Sequence, residues 1–265
     1  MKCKLSLLLL VVFFTLPSIA QTSEDEMRLG IAAFKNNHTD EAIQHFARAA
    51  EIDPGNVNAY MYFATANVSE YIPGVDSDEN KLFADRAIAA YQKVLDLNSD
   101  TQQRANSCKG IGFLYLNMKK WDDAAKYYQM ASDFDPNDPE PYYSMGVIEW
   151  TRCYQPRMEA RAQLGMQPDG HLNSKKPEQK KVCDELQAKN WTLIQDGIRK
   201  FEKAIELRPD YDDAMAYLNL MYRERADLEC EDLAARQRDL KTADQWVDKT
   251  LAVKKASAEK GQVVK

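Results

Sequence analysis

Glycine and histidine are scarce in this sequence, and it has no excess of positive charge. Glycine contributes 10 of the 265 residues, below the average usage of roughly 7%, so few tight turns are available and a many-stranded β fold is disfavoured. Three histidines leave little room for histidine-rich metal sites or catalysis by several histidines. The net charge of −6 argues against a nucleic-acid partner. The composition therefore favours an acidic, helical protein.

The first twenty residues have the pattern of a secretory signal peptide. Lys2 and Lys4 precede an apolar stretch over 5–16, and small residues ending at Ala20 follow it. This stretch is shorter than the ~20 apolar residues that a membrane-spanning helix needs. We therefore predict export to the periplasm or the extracellular space with cleavage of 1–20; the alternative is that the segment is kept as an anchor.

A pattern of small and aromatic residues occurs twice at one spacing. Counted from Gly30 and again from Gly112, alanine stands at +12 and +19, an aromatic residue at +16 and proline at +24. Small residues allow two helices to approach closely, the aromatic ring fills the space between repeats, and proline ends the second helix. The two sets are Gly30, Ala42, Phe46, Ala49 and Pro54, and Gly112, Ala124, Tyr128, Ala131 and Pro136. Each set predicts a pair of antiparallel helices.

This pattern resembles the tetratricopeptide repeat, a helix–turn–helix unit of about 34 residues. Partial matches begin at Ala64 and Gly146, and a degenerate pair of helices follows them. The resemblance implies an all-α, right-handed solenoid of about four to five helix pairs with two insertions. The predicted units are about 24–56, 57–100, 105–138, 139–211 and 212–255, followed by a flexible tail over 256–265.

Two of the predicted units are longer than a standard repeat. The second unit has 11 additional residues, around 68–82, which we expect to form a structured loop. The fourth unit has 39 additional residues, near 151–195. Pro156 is expected to end the first helix of this unit. From Glu178 onwards, apolar residues at a spacing of about 3.6 predict a helix of nearly thirty residues.

Four cysteines follow the predicted signal peptide, and an exported protein can form disulfides. The resemblance places Cys108 at a buried position, which predicts a free thiol. Cys153 and Cys183 flank the second insertion, and we predict a disulfide between them that would contribute about 3–4 kcal/mol by closing the loop. Pairing of Cys230 with Cys183 or with Cys153, or a state with free thiols, remains open.

The resemblance also implies a concave surface, lined by the first helix of each unit, that binds a protein or peptide. The lining is mainly apolar and aromatic, and Met27 and Ile31 stand where one class of the family binds a carboxylate, so that carboxylate clamp is not expected. The alternative is that the terminal helices or the first insertion cover this surface. The predicted groove residues are Asn58, Met61, Asn106, Lys109, Phe113, Leu116, Tyr143, Val147 and Trp150.

No catalytic, phosphate-binding or metal-binding motif is found in the sequence. We interpret His38 and His45 as unpaired, solvent-exposed residues, and His171 has no assigned role. The sequence therefore predicts a non-enzymatic interaction scaffold without a metal or cofactor. The alternatives are an accessory subunit of an exported enzyme complex and a structural envelope component that forms homo-oligomers.

Overall fold

A computed structural model describes residues 21–97, 100–167 and 170–263. These ranges contain ten α-helices and no β-strand. The helices are α1 (Ser23–Lys35), α2 (Thr39–Ile52), α3 (Val57–Glu70), α4 (Asp78–Asp96), α5 (Thr101–Asn117), α6 (Trp121–Phe134), α7 (Pro139–Gln163), α8 (Pro177–Leu207), α9 (Asp212–Leu228) and α10 (Leu233–Val263). The predicted signal peptide, 1–20, lies outside the described residues.

Successive helices pack as five pairs, and each pair contacts the next one along the chain. The pairs are α1 with α2, α3 with α4, α5 with α6, α7 with α8, and α9 with α10. This stack of helix pairs confirms the predicted all-α solenoid.

Polar side chains fix the starts of several helices. Thr22 and Asp25 form a capping box at α1, in which each side chain bonds the other residue's backbone N–H. Asn56, Ser77 and Asp100 accept hydrogen bonds from the first turns of α3, α4 and α5. Because the first N–H groups of a helix lack intrahelical partners, these caps set where each helix begins.

Three glycines in first helices face an aromatic ring of the second helix of the same pair: Gly30, Gly112 and Gly146. Of these three, the approach is closest at Gly30 and Gly146. A Cβ atom at Gly30 would lie 2.5 Å from Cε1 of Phe46, and one at Gly146 would lie 2.7 Å from Cε1 of Phe201. Both phenylalanines are fully buried. Glycine is therefore required for the close approach of α1 to α2 and of α7 to α8.

The first insertion forms an ordered connection between α3 and α4. The Asn80 side chain donates to the carbonyls of Ile72 (2.9 Å) and Val75 (2.8 Å), and it accepts from the backbone N–H of Ile72 (2.7 Å). Asn80 is itself buried. One amide side chain thus satisfies three backbone groups of the loop.

The second insertion lengthens two helices. The 31-residue helix α8 confirms the long helix that the apolar spacing predicts. The expected helix end at Pro156 is wrong, because α7 continues through this residue to Gln163. Proline removes one backbone hydrogen bond from the helix. Beyond it, Arg157 and the buried Arg161 form ion pairs with Asp227 of α9, and these contacts offset that loss.

The last helix extends further than expected. Residues from 256 onwards were predicted to form a flexible tail, but α10 remains helical as far as Val263. Four of the eight residues over 256–263 are alanine, lysine or glutamate, which favour helices.

None of the helices in the described ranges is long and apolar enough to span a bilayer.

Candidate interaction surface

The central part of the predicted groove lies on α3 and α5 and is open to solvent. Phe113 has 38% of its surface exposed, and Asn58 is also exposed. The two helices contact each other here, since Gln103 donates to Oδ1 of Asn58 (3.1 Å) and the Ser107 hydroxyl lies 3.2 Å from Sδ of Met61. These helices therefore present one surface that carries an exposed aromatic ring among polar side chains.

Lys109, on the same face of α5, already has partners within the chain. Its Nζ lies 2.7 Å from a carboxylate oxygen of Asp138 and 2.9 Å from one of Glu140, which joins α5 to the start of α7. Burial lowers the pKa of Lys109, but the hydrogen bonds to both carboxylates outweigh that effect and raise it. Lys109 is consequently cationic, and its charge is balanced inside the protein.

The other predicted groove residues of α5 are less accessible than Phe113. Asn106 is half-buried and accepts a hydrogen bond from Gln102 (3.2 Å). Leu116 is also half-buried and packs against the hydrophobic cluster around Tyr128. Phe113 is therefore the large apolar residue that this helix presents to solvent.

The predicted groove residues of α7 pack against other helices. Tyr143, Val147 and Trp150 are half-buried and contact the hydrophobic cluster shared by α7, α8 and α9. The Tyr217 ring centroid lies 5.8 Å from that of Tyr143 and 5.3 Å from that of Trp150. Helix α9 therefore packs against this part of the predicted groove, and these three side chains belong partly to the core.

A disulfide joins Cys183 of α8 to Cys230, in the connection between α9 and α10. The predicted bond between Cys153 and Cys183 is therefore wrong. The residue of α8 that faces Cys153 is Asn190, whose carbonyl lies 4.0 Å from the Cys153 sulfur. Cys183 stands seven residues before Asn190, about 10 Å away along the axis of α8. Cys153 and Cys183 flank the insertion in sequence, but their sulfurs are therefore not close together.

The two remaining cysteines of the described chain are free and buried. Burial raises the pKa of Cys108 to about 11 and that of Cys153 to about 12. Both are thiols at neutral pH, and for Cys108 this agrees with the prediction.

A buried cluster of charges connects α7 to α9. Arg157 donates to Glu224 (2.7 Å) and to Asp227 (2.9 Å), and Arg161, 1% exposed, lies 3.0 Å from Asp227. Burial raises the pKa of Glu224 to about 7 in spite of the nearby Arg157 guanidinium. The sequence analysis missed this cluster. The only signal was the spacing within each helix. Arg157 and Arg161 are four residues apart, and Glu224 and Asp227 are three apart, so each pair lies on one helix face.

Beside this cluster lies a cleft of about 470 Å³ between α7, α9 and α10, which we call the C-terminal cleft. Trp150 is one of its lining residues, so the cleft adjoins the predicted groove. Its lining combines apolar and aromatic side chains with three arginines and two carboxylates. The lining residues are Trp150, Tyr154, Arg157, Met158, Leu220, Arg223, Glu224, Asp227, Arg236 and Leu240.

A smaller polar network connects α1 to α2. Glu26, 2% exposed, lies 2.6 Å from Nδ1 of His45 and 3.2 Å from Nε of Arg48. The interpretation of His45 as unpaired and exposed is therefore wrong, because its side chain is 12% exposed and paired. His38 is exposed, but its Nδ1 lies 3.6 Å from Glu41.

Within the described ranges, histidine, cysteine and acidic side chains form no group of three or more that could hold a metal ion.

Models of the tetratricopeptide repeat match residues 26–56 and 107–140, which correspond to the first pair of helices and to most of the third. Together with the stacked helix pairs, these matches show that the chain contains tetratricopeptide repeats in its first and third pairs of helices.

A curated relative is the type IV pilus assembly protein PilF of Pseudomonas aeruginosa. It is 24% identical over 144 residues, which cover 46% of this chain and 57% of PilF. The chain thus matches little more than half of that relative's length.

Two solved structures have a similar fold. The MamA protein superimposes with a TM-score of 0.58 and 16% identity, over 90% of this chain and 95% of its own. YrrB is described as a tetratricopeptide repeat protein with an unusual peptide-binding site. It superimposes with a TM-score of 0.53 and 14% identity, over 89% of this chain and 93% of its own. At these identities the likeness concerns the fold alone.

Proposed function

We propose that this protein is a non-enzymatic scaffold that binds a peptide or an extended segment of a partner protein on the face formed by α3 and α5. The observation that carries the proposal is Phe113, an aromatic ring 38% exposed at the centre of that face. Exposed aromatic anchors on a rigid surface contribute strongly to protein–protein binding. Asn58, also exposed on this face, offers polar contacts that fix a partner's orientation.

The comparisons support a role in binding other proteins. PilF is by name an assembly protein, and YrrB is described as having a peptide-binding site. The repeats also create an extended surface, which suits an elongated ligand better than a small molecule.

We further propose that the scaffold acts outside the cytosol, in the periplasm or the extracellular space. The signal-peptide pattern in 1–20 supports this location. The disulfide between Cys183 and Cys230 supports it as well, because such bonds persist in oxidising compartments.

Photo-crosslinking from position 113 tests the scaffold proposal. A crosslinking amino acid replaces Phe113 in the full chain, produced in its own host, and adducts are identified by mass spectrometry. The matched control is position 82, since Leu82 is 46% exposed but lies on α4, the second helix of its pair. We expect a discrete adduct from position 113 and none from position 82.

Binding of the identified partner to purified protein provides the quantitative test. Phe113→Ala is expected to weaken binding about tenfold or more, and Leu82→Ala should leave it unchanged. Because Phe113 is exposed, the melting temperature should change little. Identical adducts from both positions, or equal affinities of both variants, would contradict the proposal.

A further inference from the structure

The C-terminal cleft has the size and the mixed lining of a ligand site. Its volume of about 470 Å³ lies within the range of roughly 300–1,000 Å³ that is typical of such sites. Trp150 and Tyr154 stack with ring centroids 4.8 Å apart at one side, and Leu220 and Leu240 contribute aliphatic surface from α9 and α10. The cleft can therefore bury a large apolar group.

The charges that line the cleft do not balance. Arg157 is paired with Glu224 and Asp227 inside the buried cluster, as described above. Arg223 lies 2.7 Å from Asp244, a side chain that is 69% exposed, so water weakens this pair. Three guanidinium groups thus line the cleft together with two carboxylates, which leaves room for one negative charge from a ligand.

Arg236 is the guanidinium best placed to receive that charge. Its Nε donates to Nδ1 of His171 at 3.1 Å. Asp227 is near enough for the Arg236 charge to lower its pKa, but among the described residues Arg236 forms no ion pair with a carboxylate. Burial, and next the Arg236 charge, lower the pKa of His171, so the imidazole is a neutral acceptor. The contact orients the guanidinium and leaves its terminal nitrogens for a carboxylate, which arginine binds in a bidentate manner.

We propose that the C-terminal cleft binds the last residue of a peptide, with its carboxylate on Arg236 and a large apolar side chain between Trp150, Tyr154 and Leu240. The inference rests on the proposed function, since Trp150 lies where the face of the first helices meets the cleft. Glu224 and Asp227 in the lining disfavour a dianion such as a phosphate group. A free apolar carboxylic acid has the same chemistry, and the experiment separates it from a peptide.

Calorimetric titration of the full chain, with the disulfide intact, tests this assignment. The probes are acetyl-Gly-Ser-Gly-Ser-Phe with a free carboxylate, the same peptide as its C-terminal amide, and N-acetylphenylalanine. We expect the free peptide to bind about tenfold more tightly than its amide, because the amide loses the charge-assisted hydrogen bonds. N-acetylphenylalanine should bind more weakly than the free peptide, since it lacks the backbone contacts.

Arginine variants identify the group that recognises the carboxylate. Arg236→Gln should remove the preference for the acid over the amide, whereas Arg236→Lys should keep part of it by retaining the charge. Arg28→Gln is the control, since Arg28 is 74% exposed on α1 and its loss should change nothing. If Arg236→Gln still prefers the acid over the amide, the assignment of the carboxylate to Arg236 is wrong. If N-acetylphenylalanine binds more tightly than the peptide, the choice of a peptide as the ligand is wrong.

This test can fail independently of the proposed function. If Phe113→Ala abolishes binding of the partner while acid and amide bind equally, the cleft assignment is wrong and the scaffold proposal stands. If the acid preference depends on Arg236 while crosslinking shows no partner at position 113, the scaffold face is wrong and the cleft assignment stands.

Discussion

The first three pairs of helices and the last two are stabilised in different ways. In α1–α6, helices of 13 to 19 residues pack through small residues and single aromatic rings. In α7–α10 the helices have 17 to 31 residues; a buried cluster of arginines and carboxylates joins α7 to α9, and a disulfide joins α8 to the connection after α9. The standard repeats therefore depend on contacts between neighbouring helices, whereas the enlarged part adds polar and covalent links between distant segments.

A buried glutamate occurs in both parts, and the two behave differently. Burial raises the pKa of Glu26, but hydrogen bonds from His45 and Arg48 outweigh it and the net effect is a lower pKa. For Glu224 burial is the larger effect, and Arg157 compensates for it only in part, so the pKa rises to about 7. The surroundings in α1 thus stabilise the charged form of Glu26, whereas those in α9 destabilise the charged form of Glu224.

The largest expected difference between the two parts comes from removing the arginine of each network. Arg157→Met should lower the free energy of unfolding by about 3–5 kcal/mol, because it leaves the buried Glu224 without its arginine partner, whereas Asp227 keeps Arg161. Arg48→Met should cost about 1 kcal/mol or less, since Arg48 is 47% exposed and Glu26 keeps His45. Urea denaturation of both variants measures these losses. Equal losses would show that the two networks stabilise the protein to the same extent.

The sequence predicted the standard repeats well because their packing is local. Gly30 and Phe46 are 16 residues apart, and their contact follows from the spacing alone, as the structure shows. The same reasoning gave the long helix α8, whose apolar residues keep the helical period over its length. In both cases the signal lies within one helix or one pair of helices.

Contacts between distant segments could not be predicted in this way. Arg157 and Glu224 are 67 residues apart, and no periodic pattern shows that α7 faces α9 beyond Pro156. The incorrect disulfide has the same origin, because the register of α7 against α8 decides which residue faces Cys153. His45 was misjudged because its partner, Glu26, lies 19 residues away on the other helix of the pair and is not part of the pattern of small and aromatic residues.

The second prediction concerns the disulfide, which is confined to the C-terminal part. Replacing Cys183 and Cys230 by serine should lower the free energy of unfolding by about 2–4 kcal/mol, given the 47-residue separation of the two cysteines. Hydrogen exchange should accelerate in α8, α9 and α10 and remain unchanged in α1 and α2. Cys153→Ala is the control, and peptide mapping should show that it keeps the bond. Faster exchange throughout the chain would mean that the two parts unfold together.

The smallest expected effect is a difference in pH dependence. The pKa of Glu224 is about 7 in the folded chain, against an ordinary value of 4.5. Its contribution to stability is therefore fully present below pH 4.5 and is lost as pH rises through 7. Between pH 5.5 and 8 this amounts to a loss of about 2 kcal/mol. Glu26, with its lowered pKa, contributes fully above its unfolded pKa and loses that contribution only in more acidic solution.

Denaturation at pH 5.5 and 8 measures this difference. Glu224→Gln should flatten the decrease in stability between the two pH values, because glutamine does not titrate. Burial also raises the pKa values of Asp227 and Glu149, so any slope that these two carboxyl groups add has the same sign. Glu26→Gln is the comparison variant and should leave the part of the decrease that depends on Glu224 unchanged, since Glu26 lies in a separate network between α1 and α2. A slope that is unchanged in Glu224→Gln would assign the pH dependence to those other buried carboxylates.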